Sequence, residues 1–244
     1  MKERIFNTYV SDLTMDETVR EVDEIIQRRV PTQHVVINAS KINLMNKDEE
    51  LTNIINSCPI INADGASILW AAKKLGVSLK ERVTGIDLFE ELLKLSNVKK
   101  YRIFLFGAKQ EVVEKVKQII EEKYPNVVIA GIKNGYFDQS KEQEIVDMIK
   151  ESKADMLFVA FSSPKKEFWV NKYLQEMDIP FCMGVGGSFD VVAGVTKRAP
   201  EWMQKSGLEW FYRFIQEPGR LFNRYIIGNL KFVLLTYQYK FKRK

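Results

Sequence analysis

Asp64 and the glycines near it are the residues of this 244-residue chain least explained by packing. Asp64 follows the apolar run Ile60-Ile61-Asn62-Ala63 and precedes Gly65. A carboxylate there is either the N-cap of a following helix or, if desolvation raises its pKa from about 3.9, a general base. Arg82 and Thr84 lie in the polar stretch Glu81-Arg-Val-Thr-Gly-Ile-Asp87. An arginine there either grips a pyrophosphate through its fork of N–H donors or pairs with Glu81 or Asp87 at the surface. In Gly184-Val-Gly-Gly-Ser-Phe-Asp190, the glycines Gly186 and Gly187 either bring backbone N–H groups close to a phosphate or simply turn the chain tightly. Asn38 and the pair Gly107-Ala108 also stand at the ends of apolar runs.

These residues need a scaffold that gathers strand ends. Short β-branched runs at 35–38, 60–63, 101–106, 127–131, 156–161 and 181–185 alternate with helical patterns at 66–75, 111–123, 141–152 and 164–175. Such a series predicts an α/β fold: a doubly wound, largely parallel, Rossmann-like sheet whose ligands bind beyond the carboxyl ends of its strands. The expected division is a catalytic α/β domain over 1–200 and a helical, basic C-terminal appendage over 201–244.

Charge is distributed unevenly. From Lys205 onward nine basic residues face only Glu209 and Glu217, a net of +7, so the first 204 residues carry about −2 of the total of +5. The tail interleaves Trp202, Trp210, Phe211, Phe214, Phe222, Ile226 and Ile227 with Arg213, Arg220 and Arg224. Helical spacing would gather the apolar groups on one side and let the arginines meet anionic headgroups, the pattern of an interfacial membrane helix. The alternative is a terminal helix pair packed on the core. No nucleic-acid-binding motif accompanies the basic tail, so nucleic acid is not the expected partner. Residues 1–10 are charged, and no stretch reaches the ~18 apolar residues of a membrane span, so the expectation is a cytoplasmic protein peripheral to the membrane.

Cys58 and Cys182 are isolated, which argues against a disulfide framework or a zinc site. His34 is the only histidine and reads as a loop residue. Neither HExxH nor DxD is present, so no metal is expected, and charge on a departing diphosphate would be met by arginine, lysine and backbone N–H groups.

Six separated motifs occur in one order: Ile61-Asn-Ala-Asp-Gly65, Arg82-Val-Thr-Gly85, Gly135-Tyr-Phe137, Ser163-Pro-Lys-Lys-Glu167, Gly184 to Asp190, and Lys197-Arg-Ala-Pro200. Together they resemble the WecG/TagA/CpsF glycosyltransferase family, which includes the N-acetylmannosaminyltransferases of wall teichoic acid and enterobacterial common antigen synthesis. The resemblance implies an inverting, metal-independent transfer without a cofactor. The donor would be a UDP-sugar, typically UDP-N-acetylmannosamine, and the acceptor undecaprenyl-diphosphate-linked GlcNAc at the inner face of the bacterial plasma membrane. It makes Asp64 the base, with Asn38 and Arg82 beside it as polar pocket residues. Thr84, Gly107, Ala108, Tyr136, Lys166, Glu167, Gly186, Gly187 and Asp190 form the candidate UDP-sugar side. Arg213, Arg220 and Arg224 match basic residues of an appendage that docks on the membrane and helps complete the site. Lys166 stands where relatives commonly carry glutamine, and an ammonium donates but cannot accept a hydrogen bond. Val36 and Ser40 also lack the hydroxyl and the acid often seen beside Asn38.

The donor therefore stays open between N-acetylmannosamine and a hexose such as glucose, the latter in a capsule or exopolysaccharide pathway. A non-catalytic nucleotide- or lipid-binding module is the competing class. A dinucleotide oxidoreductase is disfavoured, because Gly107 lacks a GxxG continuation and the 184–187 glycines come too late in the chain. A homo-oligomer is compatible with the sequence.

Overall fold

The computed structural model describes residues 2–242; Met1, Arg243 and Lys244, the last two counted in the basic tail, lie outside the described residues. Strands β1 (Lys2–Ile5) and β2 (Thr8–Ser11) form an antiparallel hairpin. The α/β succession is α1 (Met15–Arg28), β3 (Thr32–Ile37), α2 (Ala39–Met45), α3 (Glu49–Ser57), β4 (Ile60–Ala63), α4 (Ala66–Lys74), α5 (Gly85–Lys99), β5 (Arg102–Gly107), α6 (Gln110–Lys123), β6 (Val128–Lys133), α7 (Glu142–Glu151), β7 (Met156–Ala160), α8 (Lys165–Met177) and β8 (Phe181–Gly184). A helical C-terminal region follows: α9 (Ser188–Val192), α10 (Glu201–Lys205), α11 (Glu209–Gln216), α12 (Pro218–Phe222), a π-type turn over Asn223–Ile227, and α13 (Gly228–Lys242).

The main sheet has six strands, all parallel, in the order β4-β3-β8-β7-β5-β6. Its central strands are buried on both faces, as parallel sheets covered by crossover helices must be. Alternation along each strand divides the core accordingly. Ile103 and Leu105 of β5, with Met156 and Phe158 of β7, join a cluster containing Leu88, Phe89, Val113 and Val116 from α5 and α6. Their neighbours Phe104, Phe106, Leu157 and Val159 join Ile145, Ile149 and Trp169 from α7 and α8 on the other face.

Two features depart from expectation. The β1–β2 hairpin lies beside β4, and Ser11 Oγ accepts from Ile61 N at 3.1 Å, covering part of that edge strand. His34 is not in a loop: β3 starts at Thr32, and His34 lies buried within it. The polar residues Gln33 and His34 obscure the strand in the sequence, but inside the fold they find partners. Gln33 Nε2 donates to Glu167 O at 3.1 Å, and His34 Nε2 lies 2.7 Å from Asn62 Oδ1. Burial drives the His34 pKa down to about 4, so the imidazole is neutral at physiological pH.

The C-terminal region is partly core. On α13, Phe232 and Leu235 join a cluster with Ile42, Met45, Ile68 and Ala71 from α2 and α4, and Phe232 packs at 5.5 Å between ring centroids against Phe6 of the hairpin. Truncating this ring should open a cavity. We therefore expect Phe232→Ala to lower the free energy of urea unfolding by about 3–5 kcal/mol. A loss below about 1 kcal/mol, the scale of an ordinary surface change, would show instead that α13 is only loosely attached.

Candidate active site

The chain leaving β5 passes to β6 on one side, whereas the chain leaving its neighbour β7 passes to β8 on the other. Connections that part in this way open a crevice beyond the strand ends. Gly107 closes β5 with φ +121, and a Cβ there would come 2.7 Å from Ala160 O, so the close approach of β5 to β7 requires glycine. Ala108 follows with φ 56 and accepts from Gly135 N at 2.8 Å. Tyr136, next in line, is 74% exposed, and Gly186 and Gly187 turn the chain between β8 and α9.

Asn38 and Asp64 end the neighbouring strands β3 and β4, and Asp64 N donates to Ile37 O at 2.8 Å. Asn38 caps α2, its Oδ1 accepting from Lys41 N at 3.0 Å. Asp64 caps nothing. The N-cap of α4 is Gly65, with φ +104, and the half-buried Asp64 carboxylate accepts no hydrogen bond from the described residues. Burial raises its pKa above the ordinary value and Glu209 adds to the rise, while Arg213, Arg82 and Lys41 pull the other way. A carboxylate so placed keeps its lone pairs free and holds a proton more readily than an exposed one.

Beneath this edge lies a buried charge cluster. Lys41 Nζ is 2.6 Å from Glu167 Oε1, with both side chains almost wholly buried, and Lys166 Nζ is 3.2 Å from the same oxygen. Ser163 Oγ also donates to Glu167 Oε1, at 3.1 Å, and Lys166 Nζ donates to Ser163 Oγ. Burial alone would raise the Glu167 carboxyl, but the two ammonium groups outweigh it and hold the pKa at about 2. Burial and the Lys41 charge push Lys166 down to about 8. A Cβ on Gly184 would come 2.5 Å from the Lys166 Cδ, so the glycine lets this side chain pass under the end of β8. The Lys166 head group is thereby engaged by Ser163 and Glu167.

The C-terminal helices supply the remaining charges. Arg82 pairs with neither Glu81 nor Asp87 and instead donates through Nη2 to Gln204 O at 3.2 Å. Thr84 is the N-cap of α5, accepting from Asp87 N at 3.1 Å and donating to Asp87 Oδ2 at 2.6 Å, so the helix end engages its hydroxyl. Asp87 pairs with Arg198, whose Nε is 4.0 Å from Glu209 Oε1, and Arg213 Nη2 is 3.5 Å from that oxygen. Asp190 is shifted upward by burial and feels Arg220 and Arg213, while the Arg224 charge reaches Lys166.

The fold thus gathers Asn38, Asp64, Arg82 and Arg213 at one end of β3 and β4, and Gly107, Ala108, Gly186, Gly187 and Asp190 around the crevice. Lys41 and Glu209 are not among the site residues expected from the sequence, and Arg198 enters there only within the motif Lys197-Arg-Ala-Pro200. The i,i+4 spacing of Glu209 and Arg213 was available as a signal, but nothing in the sequence marks Lys41 as buried. Among the described residues no helix is long and apolar enough to cross a membrane, and no three His, Cys, Asp or Glu side chains are grouped to hold a metal ion.

Comparison with known proteins gives one consistent answer. The family described as glycosyl transferase WecG/TagA/CpsF matches residues 3–244. A Bacillus subtilis (strain 168) protein named N-acetylglucosaminyldiphosphoundecaprenol N-acetyl-beta-D-mannosaminyltransferase is 38% identical over 174 residues, 71% of this chain and 67% of its own length. Its namesake in Bacillus spizizenii is 36% identical over 167 residues, 68% of this chain and 64% of that one. The protein of the same name in Staphylococcus aureus (strain MW2) is 35% identical over 197 residues, 81% of this chain and 74% of that one. The aligned stretches therefore span roughly two thirds to three quarters of these relatives. With the parallel sheet, the ordered motifs and a match along almost its whole length, the chain belongs to the WecG/TagA/CpsF family of glycosyl transferases and is a hexosyltransferase.

Proposed function

We propose that this enzyme moves N-acetylmannosamine from UDP-N-acetylmannosamine to undecaprenyl-diphosphate-linked GlcNAc, in one inverting displacement that needs no metal, during synthesis of a teichoic acid-type surface polysaccharide. The observation that carries the mechanism is the Asp64 carboxylate, half-buried, free of hydrogen-bond donors and faced by Arg82 and Arg213. Asp64 takes the proton of the acceptor hydroxyl as the oxygen attacks the anomeric carbon; the bond from that carbon to the UDP oxygen breaks on the opposite face. Asn38 orients the sugar through the amide N–H group that its capping role leaves free. Arg82, Arg213 and backbone N–H groups of the crevice meet the charge that develops on UDP.

The relatives' names specify a lipid-linked acceptor, and the surface of the C-terminal helices suits one. Ile215, Phe222, Ile226, Leu230 and Leu234 are exposed there, with Arg220, Arg224 and Lys231 among them. We assign this surface to docking on an anionic bilayer, at the inner face of the plasma membrane. On this reading the sheet carries most of the donor site, and the helices after residue 200 complete it with Arg213 and bring it to the lipid.

Two measurements test the reading. Asp64→Asn keeps shape but loses the base, so turnover should fall by about 10²–10⁴ while calorimetry shows UDP binding unchanged; undiminished turnover would remove Asp64 from the mechanism. Because Phe232 and Leu235 belong to the core, surface substitution is a cleaner test of docking than truncation. The triple variant Ile215→Ser, Phe222→Ser, Leu230→Ser should bind phosphatidylglycerol vesicles more than about tenfold less tightly, a loss of ~1.4 kcal/mol or more. Equal binding by the variant and the parent would refute the docking surface.

A further inference from the structure

Glu209 has no part in the mechanism above, yet its charge is the one that opposes the three cations around Asp64. It opens α11, and its side chain is 15% exposed. An i,i+4 ion pair on an open helix surface contributes little. Glu209 differs in holding a second partner from outside its helix: Arg213 Nη2 at 3.5 Å and Arg198 Nε at 4.0 Å share its Oε1. Arg198 in turn pairs with Asp87, at the start of α5, and Arg82 donates to Gln204 O just before α11. Arg198 Nε and Arg213 Nε are both buried without a hydrogen-bond partner among the described residues. Glu209 thus ties α11 to Arg198, which reaches α5 through Asp87, while Arg82 reaches the same helical region through Gln204 O, and each of the two guanidinium groups keeps a buried Nε–H that no described residue accepts.

We propose that Glu209 is a positioning residue for the transfer: its carboxylate, shared by Arg198 and Arg213, holds α11 over the Asp64 side of the site and fixes where the two guanidinium groups present their remaining N–H donors. This rests on Asp64 being the base. The charged groups that face Asp64 are Glu209 and Arg213 from α11, Arg82 from the loop before α5, and Lys41 from α2. Among the described residues that act most on Asp64, Glu209 is the negative one, so it also opposes the loss of proton affinity that the cations cause. Asp64 must be unprotonated to accept a proton, so the rate falls as pH drops through its pKa. Neutralising Glu209 lowers that pKa, and the acid limb of the rate profile moves to lower pH.

The test is the pH dependence of kcat/KM for Glu209→Gln, Glu209→Asp, Arg198→Gln and the parent, with UDP-N-acetylmannosamine and a short-chain prenyl-diphosphate-GlcNAc in detergent. Detergent removes vesicle docking from the measurement. For Glu209→Gln the acid limb should shift to lower pH, and KM for the donor should rise severalfold as Arg213 is released. Glu209→Asp keeps the charge and should leave the limb in place. Arg198→Gln leaves Glu209 with one fewer cation and should move the limb up, which keeps the idea open to refutation even if Glu209→Gln fails to fold. A limb that stays fixed in both Glu209→Gln and Arg198→Gln, whatever the loss in rate, would reduce Glu209 to a structural ion pair and overturn the proposal. Asp64→Asn, run alongside, separates the two levels. If it is inactive while the limbs do not move, only the role of Glu209 falls; if it is active, the reading of Asp64 falls first.

Discussion

Six strands that all run the same way must deliver their carboxyl ends to a single edge of the sheet, and everything chemical in this protein depends on that constraint. Asn38 and Asp64 are 26 positions apart in sequence but end neighbouring strands because β3 and β4 pair in parallel. Gly107 and Ala160 meet for the same reason on β5 and β7. The crossover helices bury both faces of the sheet, so the strand-end edge is where polar groups can sit without a prohibitive desolvation cost.

Charge at that edge is organised in two layers. Below it, Glu167 is enclosed with Lys41 and Lys166, and removing one partner from such a cluster would leave a buried charge uncompensated. Above it, Asp64 is kept free of donors while Arg82, Arg213 and Glu209 act on it through space. The lower layer is held by direct ion pairs and hydrogen bonds. The upper one leaves lone pairs on the carboxylate and N–H groups on the arginines unused, which is the condition for receiving a substrate that brings both a hydroxyl and a diphosphate.

The sheet was legible in the sequence because its central strands are buried on both faces and therefore appear as apolar runs; 60–63 coincides with β4, and the run at 156–161 passes β7 by one residue. The hairpin was not, since Lys2–Ile5 and Thr8–Ser11 are short and partly charged. His34 reads as a loop residue because its strand partner Asn62 lies 28 positions away, so nothing local marks a polar residue there as buried. Asp64 stood out because a carboxylate at a strand end needs explaining, but whether it capped a helix could only be decided by the backbone, which gives that position to Gly65. Lys41 was invisible: its burial depends on Glu167, 126 positions away. The basic aromatic tail was seen as a unit, and its core-packing reading holds in part, since α13 buries Phe232 while Leu230 and Leu234 face outward.

The proposed chemistry turns on the Asp64 carboxylate accepting the proton of the attacking sugar hydroxyl. The most direct measurement is a crystal structure of the enzyme with UDP and a short-chain prenyl-diphosphate-GlcNAc. The acceptor hydroxyl is expected within about 2.6–3.2 Å of an Asp64 oxygen, with the UDP diphosphate against Arg82 and Arg213. An acceptor hydroxyl resting on some other base, with Asp64 turned away from both substrates, would contradict it.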